Sequence, residues 1–192
     1  MSGLWRLSCS WSFCLGLLLA SVCVTQAAAD PTRSPIPAKV TRIDGYPFPT
    51  RIAGLTRGQK TDYNTPGLGF SVRYESPGET WADIFIYDLG EDLSSEDARA
   101  LAIEHREIAL GDIENARKAG NYQDVKFIAK AELAPYAKAH VTITQRGVTR
   151  DSFVFVTVDQ KNFVKIRYTT SAKDAARMAD QFATEYVRQL NR

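Results

Sequence analysis

Five carboxylates fall within ten residues, at Asp88, Glu91, Asp92, Glu96 and Asp97. They are the best candidates in the sequence for an ion site, because clustered carboxylate oxygens suit a hard cation such as calcium. Their spacing does not fit an EF-hand loop, and acidic residues ahead of a helix complement its dipole. A helix start is therefore favoured over a metal centre. Other metal sites need clustered histidine, cysteine or carboxylate ligands. The chain has two histidines, His105 and His140, and neither belongs to an H-E-x-x-H motif. His105 is expected at the core edge of a helix and His140 exposed at the start of a strand. Ser71 and Ser152 lie within strand patterns, and no serine sits on a G-x-S-x-G elbow. Nucleophile and histidine meet in space and not in sequence, so a hydrolase stays the alternative. Gly67 and Gly69 precede a strand, which does not make a phosphate loop. No catalytic, cofactor-binding or metal-ligating residue is assigned, and no cofactor is expected. Tyr46, Phe48, Tyr63 and Tyr136 fall in expected loops, and tyrosine and other aromatics are favoured at interfaces.

The elements that would position these residues begin after an export signal. Arg6 is the only charge before Asp30, an apolar stretch runs from Phe13 to Val24, and Ala27-Ala28-Ala29 follows. That is the layout of a secretory signal peptide. A spanning helix needs about 20 apolar residues, and this run is shorter. All three cysteines (Cys9, Cys14, Cys23) lie inside it. Val22 before Cys23 departs from a lipoprotein signal. Removal of residues 1–29 would leave a chain without disulfides or thiol chemistry. The expected address is the periplasm, or secretion more generally, with no stable membrane anchor after cleavage.

Residues 30–49 carry five of the eight prolines and are expected to form an extended arm or linker. Residues 50–192 are expected to be a single domain. Thr50–Thr56 reads as a short strand and 57–67 as a loop. Leu68, Phe70, Val72 and Tyr74 alternate with small or polar residues, a half-buried strand. Ser76-Pro77-Gly78 is a turn signal, and the apolar Trp81–Asp88 segment suits a central strand. Ser94-Ser95-Glu96-Asp97 reads as a helix start with a serine cap. Ala98, Leu101, Ala102, His105, Ile108, Ala109, Ile113 and Ala116 continue at helical spacing. Gly120 closes the helix, which at about 25 residues would be roughly 37 Å long. Four strands follow in the pattern, at 125–133, 140–145, 152–158 and 163–170. Arg146-Gly147 and the four-residue Asp159–Asn162 segment form the turns, and Lys165 and Arg167 lie on the polar side of the last strand. A second helix, capped by Ser171, carries Ala175, Ala179, Phe182, Ala183 and Tyr186 on one stripe. The order is β-β-β-α-β-β-β-β-α. This is an α+β domain with one antiparallel sheet and a long middle helix and a C-terminal helix packed on it.

This order, together with Gly67-Leu68-Gly69-Phe70-Ser71-Val72-Arg73-Tyr74 opening a hairpin, resembles the PsbP-like superfamily across residues 50–190. That group includes exported DcrB-like proteins and lumenal photosystem accessory subunits. The resemblance implies a non-catalytic binding or assembly role and places no site residue on this chain. Charge agrees with a partner other than nucleic acid: the chain has 24 basic and 22 acidic residues, which gives no field to steer a polyanion. The sequence therefore favours an exported accessory module, leaning away from an enzyme, with a periplasmic protein or small ligand as partner.

Overall fold

The computed structural model describes residues 30–93 and 97–191. The expected signal at 1–29, and Ser94, Ser95 and Glu96 of the expected helix start, lie outside the described residues. Seven strands precede the first helix. They are β1 (Thr32–Pro35), β2 (Arg42–Ile43), β3 (Tyr46–Pro47), β4 (Arg51–Ile52), β5 (Leu55–Asp62), β6 (Phe70–Ser76) and β7 (Thr80–Tyr87). Helix α1 (Ala98–Lys118) leads into β8 (Asp124–Leu133), β9 (Tyr136–Gln145), β10 (Val148–Asp159) and β11 (Asn162–Thr170), and α2 (Ala175–Leu190) ends the chain. The main sheet is antiparallel in the order β1-β5-β6-β7-β11-β10-β9-β8, with β4 paired beside β5.

The expected α+β class and element order hold, and the sheet gains strands from segments the sequence pattern hides. Residues 55–62, expected to begin in a weak strand and continue as a loop, form β5. It pairs with β1 on one side and β6 on the other. Its turn-forming residues, Gly58 and Asp62, are held in extended conformation by these ladders, and the register shifts between Arg57 and Lys60 mark a bulge. Leu68 was expected inside a strand, but β6 begins at Phe70.

Capping also differs from expectation. Asp97 caps α1, its Oδ1 accepting from the Arg99 and Ala100 amides. Asp174, not Ser171, precedes α2, because the chain makes one more turn through Lys173 and Asp174 before the helix. Gly120 does close α1: it has φ +81°, its amide bonds Arg117, and the next amide, Asn121, reaches back to Ala116.

The two helices lie on opposite faces of the sheet. Phe182, Ala183 and Tyr186 of α2 pack with Val72, Tyr74, Ile84, Phe155, Ile166 and Tyr168. Ala102, Ala109 and Ile113 of α1 pack with Ala139, Val141, Val154, Val156 and Phe163. Period-two alternation makes this possible, since Phe153 and Phe155 face α2 while Val154 and Val156 face α1.

The aromatics expected in loops are largely core. Tyr46, Phe48 and Tyr136 are buried, while Tyr63 is half-buried. Tyr46 donates to the Asp159 carbonyl at 2.8 Å, and the Phe48 ring meets those of Phe70 and Tyr186. Arg57 ties the same segment down, donating to the carbonyls of Val40 and Phe48 and to that of Pro37.

Candidate functional site

Helix α1 covers only part of its face of the sheet. Its contacts fall mainly on β8, β9 and β10 and reach the end of β11 through the His105–Phe163 stack, which leaves β5, β6, most of β7 and the Lys165–Arg167 stretch of β11 open. Cross-strand register sets the open rows. Arg73 of β6 lies opposite Asp83 of β7, and Asp83 lies opposite Arg167 of β11. In the next row Ser71, Phe85 and Lys165 are neighbours. Side chains that read as the polar side of β11 therefore stand where α1 meets the uncovered half of the sheet.

A groove runs along that meeting line. Its outer part is a cavity of about 250 Å³ lined by Tyr63, Leu68, Phe85, Tyr87, His105, Ile108 and neighbouring residues. A smaller cavity of about 90 Å³ continues beneath α1, lined by Ala109, Asp112, Ile113, Val154, Lys165 and Arg167. The two share Phe85, Ala109, Asp112 and Lys165. Beyond the groove lies a polar trough of about 490 Å³ over the open sheet, with Arg33, Arg73 and Asp83 in its lining. Tyr63 separates trough from groove. Its ring stacks on Phe85 with centroids 6.2 Å apart, and its hydroxyl lies 3.0 Å from Ser71 Oγ.

The groove mouth depends on the two glycines. Gly67 and Gly69 take positive φ, and a Cβ on Gly69 would stand 1.9 Å from the Ile86 carbonyl oxygen. The Asp88 and Leu89 amides donate to the Gly67 carbonyl at 3.2 and 2.8 Å. This close approach seats the loop before β6 on the loop after β7. Leu68 and Leu89 consequently flank the groove, with Ile108 of α1 facing them; all three are exposed, at 42%, 41% and 46%.

The inner end is cationic. Lys165 Nζ lies 4.7 Å from the Phe85 ring centroid and 5.3 Å from that of Tyr87. Among the described residues no carboxylate pairs with it. Burial pushes the Lys165 ammonium below the ordinary lysine value; Asp112 opposes this and Arg167 adds to it. Arg167 donates from Nε to Ser152 Oγ at 3.2 Å and lies over the Tyr122 ring, but one buried terminal nitrogen finds no acceptor in the protein. Buried guanidinium donors normally find partners. Arg73, by contrast, grips Asp83 through two bonds of 2.8 Å, and this pairing raises its pKa.

The residues singled out by sequence do not converge on one site. His105 is buried and stacks on Phe163, with burial holding its pKa below the usual value. His140, expected exposed, is half-buried, stacked on Phe153 and bonded to Asp151 at 2.7 Å. Among the described residues neither histidine bonds a serine or threonine hydroxyl. Ser152 instead pairs with Thr169, and Ser71 with Tyr63. In the acidic run Asp97 caps α1 and Asp88 accepts from the Gly90 amide. Among the described residues no three His, Asp or Glu side chains form a metal-holding group, and no helix is long and apolar enough to cross a membrane. Lys165 and Arg167 were not candidates at the sequence level. The signal that could have marked them is a pair of alternating cations in an otherwise apolar strand.

No family model matches the chain, and no curated protein matches it. The structure is similar to the solution structure of cyanobacterial PsbP (CyanoP) from Synechocystis sp. PCC 6803, at 12% identity. The match covers 88% of this chain and 96% of that one, with a TM-score of 0.44.

Proposed function

We propose that the chain is an exported, periplasmic binding module without catalytic activity, and that the groove between α1 and the open half of the sheet is its binding site. The observation that carries this reading is the contrast along the groove. Three exposed aliphatic side chains gather at its mouth, and an ammonium without a carboxylate partner stands at its inner end. Concave sites with apolar walls and a few convergent polar groups are where small ligands bind. Export is supported by the tripartite pattern of residues 1–29 and by the confinement of every cysteine to that segment.

A binding module is stabilised by what it binds in proportion to RT ln(1 + [L]/Kd). The melting temperature of the exported protein should therefore rise in a small-molecule extract of the periplasm. Ile108→Glu, an exposed change at the groove mouth, should abolish the rise without altering the melting temperature in buffer. An unchanged melting temperature for the wild-type protein would contradict the proposal. Cell fractionation tests the address: the protein should be found in the periplasm, with a mass lacking residues 1–29. Recovery in the cytosol at full mass would contradict it.

A further inference from the structure

The groove also indicates what kind of molecule it would hold, an inference that rests on the binding reading above. Half of the six large hydrophobic side chains exposed on the described surface are at its mouth: Leu68, Leu89 and Ile108. The walls continue inward through Phe85, Tyr87 and Ala109. At the inner end the polarity reverses. Lys165 and Arg167 line the same 90 Å³ recess, one with no ion-pair partner and the other with an unaccepted buried N–H. A half-buried cation without an ion-pair partner is unfavourable and is relieved by an anion held against it. Asp112 lines both cavities but is exposed. Two cations against one carboxylate leave one net positive charge at this end. That balance matches a monoanion better than a dianion. Taken together the two cavities lie near the lower end of the roughly 300–1,000 Å³ usual for small-molecule sites.

We propose that the groove binds a small amphipathic carboxylate, its head between Lys165 and Arg167 and its hydrocarbon part against Leu68, Leu89 and Ile108. The ring faces of Phe85 and Tyr87 hold the ammonium in place before the ligand arrives. The carboxylate then supplies the acceptor that the protein does not, and a charge-assisted bond to Arg167 is among the stronger hydrogen bonds available. Asp112 acts as a selector, weakening the hold on anions of higher charge.

The test is a calorimetric titration of the exported protein with octanoate, octanol and octylammonium, three probes of equal chain length. Methyl resonances of Leu68, Leu89 and Ile108 are followed by NMR in parallel. Octanoate should bind at least about tenfold more tightly than octanol, a difference of about 1.4 kcal/mol, and octylammonium more weakly than either. Lys165→Met should remove the preference for octanoate while leaving octanol affinity unchanged. Asp112→Asn, at an exposed position, should tighten octanoate binding and provides an arm that does not disturb the core. Octanol or octylammonium binding as well as octanoate, with the groove methyls shifting, would overturn the carboxylate assignment and leave the binding site standing. If none of the probes shifts the groove methyls, the site itself is overturned along with it.

Discussion

The imidazole of His105 lies flat against the ring of Phe163, centroids 3.4 Å apart, where α1 meets the centre of the sheet. Burial is the main reason its pKa falls below the ordinary 6.5; Lys165 pushes the same way, and Glu104 and Glu91 push against. The folded chain therefore binds this proton less tightly than the unfolded chain. Stability should be insensitive to His105 above its unfolded value and should fall as pH drops through about 6.5. The loss is complete below the folded value. His105→Phe should keep the stacking and remove this part of the pH dependence. Denaturant unfolding of both proteins between pH 8 and pH 5 checks it, and parallel profiles would show that His105 contributes nothing.

Gly69 should not tolerate a side chain. An added Cβ would meet the Ile86 carbonyl at 1.9 Å, and φ at this position is +58°. Gly69→Ala should destabilise by at least about 2 kcal/mol. The contact it breaks also places Leu68 beside Leu89, so ligand binding should weaken under conditions where the variant is still folded. Equilibrium unfolding in urea measures the first effect and titration at low temperature the second.

Arg57 is expected to hold the N-terminal segment to the domain. It reaches the carbonyls of Pro37, Val40 and Phe48 from β5. Hydrogen bonds to charged groups contribute about 1.5–3 kcal/mol, so Arg57→Ala should destabilise by about 2 kcal/mol or more. Lysine lacks the planar fork, and Arg57→Lys should recover less than half. Hydrogen exchange should speed up mainly in residues 37–48; uniform change across the chain would contradict a local tie.

Lys165 should be a residue whose removal stabilises the protein. Its ammonium is half-buried, lacks a carboxylate partner and is held below its ordinary pKa. Lys165→Met keeps the stem and removes the charge, and a gain of about 1 kcal/mol is expected in the absence of ligand. Destabilisation on urea unfolding would mean that the two ring contacts outweigh the burial of the charge.

Much of the fold was legible because local period and core requirement coincide. Val154, Phe155 and Val156 are apolar in succession because both faces of β10 are covered. The α2 stripe through Ala179, Phe182, Ala183 and Tyr186 is read directly from helical spacing. β5 was not legible, because its extended form is imposed by partners on both sides and not by Gly58 or Asp62. Tyr46 and Phe48 looked like loop aromatics because nothing local shows that Arg57 and α2 enclose them. The groove was hidden for a related reason. Lys165 and Arg167 alternate as solvent-facing residues do, and only the placement of α1 over one half of the sheet turns that side of β11 into the floor of a cavity.

The most direct measurement is the methyl NMR spectrum of the protein as a periplasmic small-molecule extract is added. Shifts should appear at Leu68, Leu89 and Ile108, while Ala179 and Ala183, on the buried side of α2 across the sheet, should stay in place. Shifts confined to Ile128 on the exposed edge strand β8, or no shifts at all, would contradict a binding site between α1 and the open sheet.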